Sequence, residues 1–84
     1  MKIIGKIDKG TEQIRICLHE WKAQVYCDIR LWYLKGNEYH PGIKGLRFNA
    51  ELLPELRSAL EEAERMIEAG EEVGDSREMG ESQG

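Results

Sequence analysis

Serine is absent before Ser58, and this chain of 84 residues has only two histidines, His19 and His40, and two cysteines, Cys17 and Cys27. The first absence removes a serine nucleophile from most of the chain, and two isolated imidazoles leave no base with an orienting partner. Asp28 beside Arg30 reads as a structural partner and not as a general base. Two cysteines are too few for a disulfide scaffold, and without a matching His or Cys cluster they form no zinc pattern. An enzyme, a metal and a cofactor are therefore not expected. Long apolar runs are missing too: MKIIGKIDKG has only Ile3 and Ile4 together, so neither a signal peptide nor a membrane segment is expected. A soluble protein without a membrane partner follows, cytoplasmic and, in a prokaryote, nucleoid-associated.

Aromatic residues are few but concentrated. Five of the six lie in EWKAQVYCDIRLWYLKGNEYHPGIKG, residues 20 to 45, among Lys22, Arg30, Lys35 and Lys44, and Phe48 follows. Rings interleaved with cations on a sheet suit unpaired bases and their phosphates. Residues 1 to 49 carry nine Lys/Arg against five Asp/Glu, and residues 50 to 84 three against eleven, so a net charge of −4 conceals halves of +4 and −8. Binding responds to the local field, which over the first half is positive. The length allows one domain at most, and so small a domain gains from self-association.

Ile14, Ile16 and Leu18 alternate with Arg15, Cys17 and His19, and Val25, Cys27, Ile29 and Leu31 alternate with Tyr26, Asp28, Arg30 and Trp32. These are two strands with one apolar face each. A turn centred on Lys22 and Ala23 pairs Leu18 with Cys27 and Ile16 with Ile29, which makes the apolar faces coincide and sends the two thiols to opposite sides. The other face then holds Arg15, His19, Tyr26, Arg30 and Trp32, with Trp21 at its hairpin end, and is expected to be exposed. Taken singly, each of these residues fits ordinary strand propensity or solubility; their joint placement favours a binding surface. A strand is expected before this pair in KIIGKID and another from His40 to Phe48, its pattern interrupted by Pro41, Gly42 and Gly45.

From Asn49 the period becomes helical, with Leu52, Leu53, Leu56, Leu60, Ala63 and Ile67 in one stripe. Asn49 suits an N-cap and Gly70 the position after the last turn. Pro54 lacks an amide proton, which favours a separate first turn with Pro54 opening the main helix. The stripe serves intramolecular packing, and its surplus suggests a second copy across a two-fold axis through Leu53, Leu56, Leu60, Ala63 and Ile67. Two regions follow: a binding and dimerisation domain at 1–69, and a flexible acidic tail at 70–84, dispensable for folding and mildly opposed to binding.

IRICLHEWKAQVYCDIRLWY, then HPGIKG, then NAELLPEL is similar to the single-stranded-DNA-binding domain of the positive cofactor four family of transcriptional coactivators, over roughly residues 5 to 68. The resemblance implies an α+β, Whirly-like fold: a curved four-stranded antiparallel sheet followed by one C-terminal amphipathic helix, dimerising through the helix. The family's hairpin-turn aromatic falls on Trp21, its adjoining lysine on Lys22, the arginine of DIR on Arg30, its aromatic pair on Trp32 and Tyr33 in reversed order, and the lysine of PGxKG on Lys44. The family's turn glycine is Ala23 here, a second turn lysine is Gln24, and two basic positions are His40 and Ile43. Fewer cations predict weaker, less salt-sensitive binding. The serine-rich regulatory segment of eukaryotic members has no counterpart before the first strand, so a compact prokaryotic or phage-type member is expected.

The nucleic-acid-binding set is thus Arg15, Trp21, Lys22, Arg30, Trp32, Tyr33 and Lys44. The implied function is sequence-independent binding of single-stranded DNA as a homodimer, in transcription regulation and by extension in replication or repair. Two alternatives stay open: a protein-interaction module contacting transcription proteins, and an RNA-binding regulator, because stacking and phosphate contacts do not distinguish the sugar.

Overall fold

The computed structural model describes residues 1–75. Four strands, β1 (Lys2–Lys9), β2 (Glu12–Trp21), β3 (Gln24–Lys35) and β4 (Glu38–Asn49), form one antiparallel sheet in the order β1-β2-β3-β4. The strands and a short 3-10 turn, Ala50–Leu52, make one unit, residues 1–53, and a second unit begins at Pro54.

The β2–β3 register is the one the alternation demands: Ile16 faces Ile29 and Leu18 faces Cys27. Its two-residue turn, Lys22 and Ala23, has φ of 53° and 63°, both left-handed, as a hairpin loop matched to strand twist requires. Ile14, Ile16, Leu18, Ile29 and Leu31 share one face and are half-buried. Cys17 and Cys27 lie on opposite faces, both buried and both free.

Strand β4 accommodates Pro41, Gly42 and Gly45 through a bulge. Between the pairs Arg30–Gly45 and Trp32–Pro41, β3 advances two residues and β4 four. The extra length presses β4 against its neighbour: a Cβ on Gly42 would stand 2.9 Å from the Leu31 carbonyl oxygen, and one on Gly45 2.8 Å from that of Ile29. Only glycine fits at either place. The residues between them are pushed outward, and Ile43 is 95% exposed.

Asn49 caps the 3-10 turn, its side-chain oxygen accepting from the Glu51 amide at 2.9 Å while its Nδ2 donates to Gln24 Oε1 at 2.7 Å. The helix α1 (Leu53–Ala69) follows with Pro54 at its second position, where no intrahelical donor is lost. It ends at Gly70, φ 74°, where the Gly70 amide donates to Ile67 and the Glu71 amide to Met66, the double bond pattern of a Schellman cap. Leu53, Leu56 and Met66 are half-buried, whereas Leu60, Ala63 and Ile67 are exposed in the single chain. Of the expected tail, residues 71 to 75 are exposed and without regular structure, Glu71 pairs with Arg65 at 3.2 Å, and residues 76–84 lie outside the described residues.

One expectation is corrected. Arg15, His19, Tyr26, Arg30 and Trp32 do share a face, but that face is not simply exposed: Trp32 is 8% accessible and Arg15 9%. The Arg15 guanidinium carbon lies 4.5 Å from the Trp32 ring centroid and 4.9 Å from that of Tyr39, and its Nε donates to Gln13 Oε1 at 2.9 Å. A guanidinium tolerates burial between ring faces because it is weakly hydrated and the rings present negative charge to it. Arg15 and Trp32 therefore form a packed layer on this face.

Candidate nucleic-acid interface

The hairpin connecting β2 and β3 brings an aromatic and a cation to its tip. Trp21 is the last residue of β2 and 55% exposed. Lys22, forced into the turn beside it, holds its ammonium 4.6 Å from the indole centroid. Behind them on the same face Tyr26 stands opposite His19, ring centroids 6.3 Å apart, and the Arg47 guanidinium carbon sits 5.2 Å from the Tyr26 centroid. Trp21, Tyr26 and Arg47 line a cleft of about 600 Å³. This end of the sheet has exposed π-surface with a cation at each side.

A second group lies on the opposite face. Tyr33 follows Trp32 by one residue and so points the other way; it is 43% exposed and stands opposite His40, ring centroids 5.9 Å apart. The β4 bulge carries Ile43 and Lys44 to the same place, and Leu31, Tyr33, Pro41, Ile43 and Lys44 line a cleft of about 350 Å³. Trp32 and Tyr33 are thus not interchangeable rings. Tyr33 presents an exposed ring and Trp32 a buried one.

Between the two groups lies Arg30. Its Nε donates to Asp28 Oδ1 at 2.9 Å, its Nη2 to Asp28 Oδ2 at 3.0 Å and its Nη1 to the Gly42 carbonyl at 3.1 Å. The bonds to the Asp28 carboxylate hold its pKa above the ordinary arginine value. A guanidinium spent this way positions the bulge more than it offers free donors to a phosphate.

The seven residues singled out in the sequence therefore fall into three places. Trp21 and Lys22 meet at the hairpin tip, Tyr33 and Lys44 meet at the bulge on the other face, and Arg15, Arg30 and Trp32 make the layer between. Two residues of these groups were not singled out in the sequence. Arg47 is exposed and stacks on Tyr26, and Tyr39 closes the Arg15 stack. Their signal was weak because β4 has no alternation until its bulge is placed. Among the described residues no group of three or more His, Cys, Asp or Glu could hold a metal ion, and no helix is long and apolar enough to cross a membrane.

The sequence and the fold are similar to those of known proteins. The family model described as transcriptional coactivator p15 (PC4) matches residues 8–59. A PC4 homologue from Burkholderia pseudomallei K96243 superposes with a TM-score of 0.71 at 29% identity, over 76% of this chain and 89% of that one, and its second crystal form gives 0.69 at 28% over 75% and 96%. A bacteriophage T5 homologue of the eukaryotic coactivator PC4, implicated in recombination-dependent DNA replication, superposes with a TM-score of 0.57 at 26% identity, over 82% of this chain and 80% of that one. No curated protein matches the chain.

Proposed function

The chain belongs to the family of the transcriptional coactivator p15 (PC4), and from that premise we propose that it binds single-stranded DNA as a homodimer without reading its sequence. Its role is then in transcription regulation, with replication as the extension that the phage T5 relative suggests. A coactivator family is not an enzyme family, and no chemical step is assigned to any residue.

The observation that carries the proposal is Trp21: a large ring more than half exposed at a strand end, with the Lys22 ammonium at 4.6 Å. Bases stack on such a ring at roughly 1–3 kcal/mol each, against about 0–1 kcal/mol for an exposed ion pair. Affinity therefore rests on Trp21 and Tyr33, and Lys22 and Lys44 follow the backbone. Arg30 supports the site by fixing the bulge, and Arg15 and Trp32 support it from within the sheet.

The dimer is supported by how little one chain buries. Cys17, Cys27 and Trp32 are the buried hydrophobic residues among those described, while Ile7, Val25, Leu46, Leu60 and Ile67 are each exposed. A single chain that leaves this much apolar area in water lacks the burial that stabilises a fold, and a second copy supplies it.

Fluorescence anisotropy with single-stranded DNA, duplex DNA and RNA of equal length tests the reading. Preference for single-stranded DNA over duplex is expected, together with at least a roughly tenfold loss in a variant carrying Trp21→Ala and Tyr33→Ala with its far-UV spectrum unchanged. Equal affinity for RNA points to an RNA-binding regulator. No binding to any strand leaves a protein-interaction module.

A further inference from the structure

We propose that Trp21 and Tyr26 form a slot that takes one unpaired base between their rings, with Arg47 as a phosphate-contacting residue of that slot. The proposal rests on the single-strand binding argued above and adds Tyr26 and Arg47 to it.

The sheet register supplies the spacing. Trp21 faces Gln24, and Tyr26 lies two residues further along β3 on the same face, so Trp21 and Tyr26 are diagonal neighbours. Such pairs stand roughly 7–8 Å apart, and somewhat less at Cβ. A base stacked between two rings needs about twice the ~3.4 Å step of stacked bases, which is the same interval. The diagonal is therefore of about the length that one planar group inserted between the rings requires. The space exists: a cleft of about 600 Å³ is lined by Trp21, Tyr26 and Arg47.

The cations are placed for the flanking phosphates. Tyr26 stands in register between its two neighbours, because Gln24, opposite Trp21, precedes it by two residues and Asp28, opposite Arg47, follows it by two. Arg47 sits 5.2 Å from the Tyr26 centroid and Lys22 4.6 Å from that of Trp21, so each ring carries its own cation. Arg47 is exposed and, among the described residues, no carboxylate pairs with it. It is the freer guanidinium of this face, since Arg30 is held by Asp28 and Arg15 is buried against Trp32.

The test compares Tyr26→Leu, Tyr26→Phe and Arg47→Gln with the parent protein, using anisotropy on a single-stranded oligothymidine. Tyr26→Leu is expected to weaken binding roughly 5- to 150-fold, the range that corresponds to losing one stacked base, while Tyr26→Phe binds like the parent. Arg47→Gln is expected to flatten the dependence of log K on log salt by about 0.7, the share of one phosphate on a single strand. Thermal melting of all three checks that the fold is kept; should Tyr26→Leu not fold, Tyr26→Val, which also removes the ring and keeps strand propensity, takes its place. Parent-like affinity of Tyr26→Leu alongside weakened binding by Trp21→Ala overturns the slot and leaves single-strand binding standing. An unchanged salt slope in Arg47→Gln removes Arg47 from it. Failure of the parent to bind any single strand overturns both readings together.

Discussion

Asp28 holds Arg30 by both arms of its guanidinium, at 2.9 Å and 3.0 Å, with side chains only 15% and 22% accessible. The two are separated by one residue on β3 and point to the same side, so the pair forms as soon as the strand does. The remaining donor reaches the Gly42 carbonyl at 3.1 Å, and through it the pair fastens the bulge that presents Ile43 and Lys44. Family resemblance assigns Arg30 to the nucleic acid; the geometry makes its first task the support of the neighbouring strand.

Asp28→Asn is therefore expected to destabilise the protein by about 1–3 kcal/mol, because a partly buried guanidinium loses its charged bidentate partner. Hydrogen exchange of the Lys44 and Gly45 amides is expected to accelerate together with the drop in urea midpoint. A variant that unfolds at the parent's midpoint with unchanged exchange at these amides would show that the bulge stands without the pair.

How far the sequence disclosed this structure differs between strands. The β2–β3 register was legible because alternation on both sides of Lys22 and Ala23 admits one pairing of apolar faces, and Leu18–Cys27 and Ile16–Ile29 are the observed pairs. The helix was legible because Asn49, Pro54 and Gly70 each have a local mechanism for starting or stopping it. The burial of Arg15 and Trp32 was not legible. It depends on a contact spanning three strands, with Tyr39 entering only through the register of β4, and that register follows from backbone contacts at Gly42 and Gly45 that side-chain alternation does not encode. Arg47 escaped for the same reason.

The hairpin turn carries a local cost that one substitution relieves. Ala23 has φ of 63°, in a region where an L-residue with a Cβ is disfavoured by roughly 1–2 kcal/mol, offset in part by the greater entropy glycine loses on folding. Ala23→Gly is expected to stabilise by about 0.5–1 kcal/mol and to raise the melting temperature by a few degrees, as the scaling for a domain of this size implies. Calorimetry decides, and an unchanged or lowered midpoint would mean that the turn is not strained at this position.

Both thiols are held protonated. Burial pushes the pKa of Cys17 and of Cys27 up, and the Asp28 carboxylate pushes each further. The folded state therefore keeps these protons to higher pH than the unfolded state does, so the associated stability is present below the usual cysteine range of about 8.5 and is lost as pH rises through the raised values. Native protein is expected to react slowly with a thiol-specific chromogenic reagent at pH 7.5 and quickly in urea, and its unfolding free energy is expected to fall from about pH 8.5 upward. Rapid labelling of both cysteines in the folded protein would contradict the burial.

The helix offers the sharpest separation between one chain and two. In a single chain Leu60 is 59% exposed, and glutamate is as good a helix former as leucine, so Leu60→Glu in a monomer is expected to change stability by no more than about 0.5 kcal/mol. In a dimer joined through Leu53, Leu56, Leu60, Ala63 and Ile67 the same carboxylate is buried twice across the two-fold axis, next to its own copy and without a cation. The penalty is then several kcal/mol per site. Loss of the dimer is the expected result, seen by sedimentation velocity as a shift from a dimer to a monomer or to unfolded chain at micromolar concentration. Oligonucleotides long enough to reach both subunits should then lose affinity more than short ones, because the second contact is no longer held at a fixed distance from the first. If the parent itself sediments as a monomer, or the variant keeps the parent's size and stability, the exposed stripe is solvated surface and the homodimer is wrong.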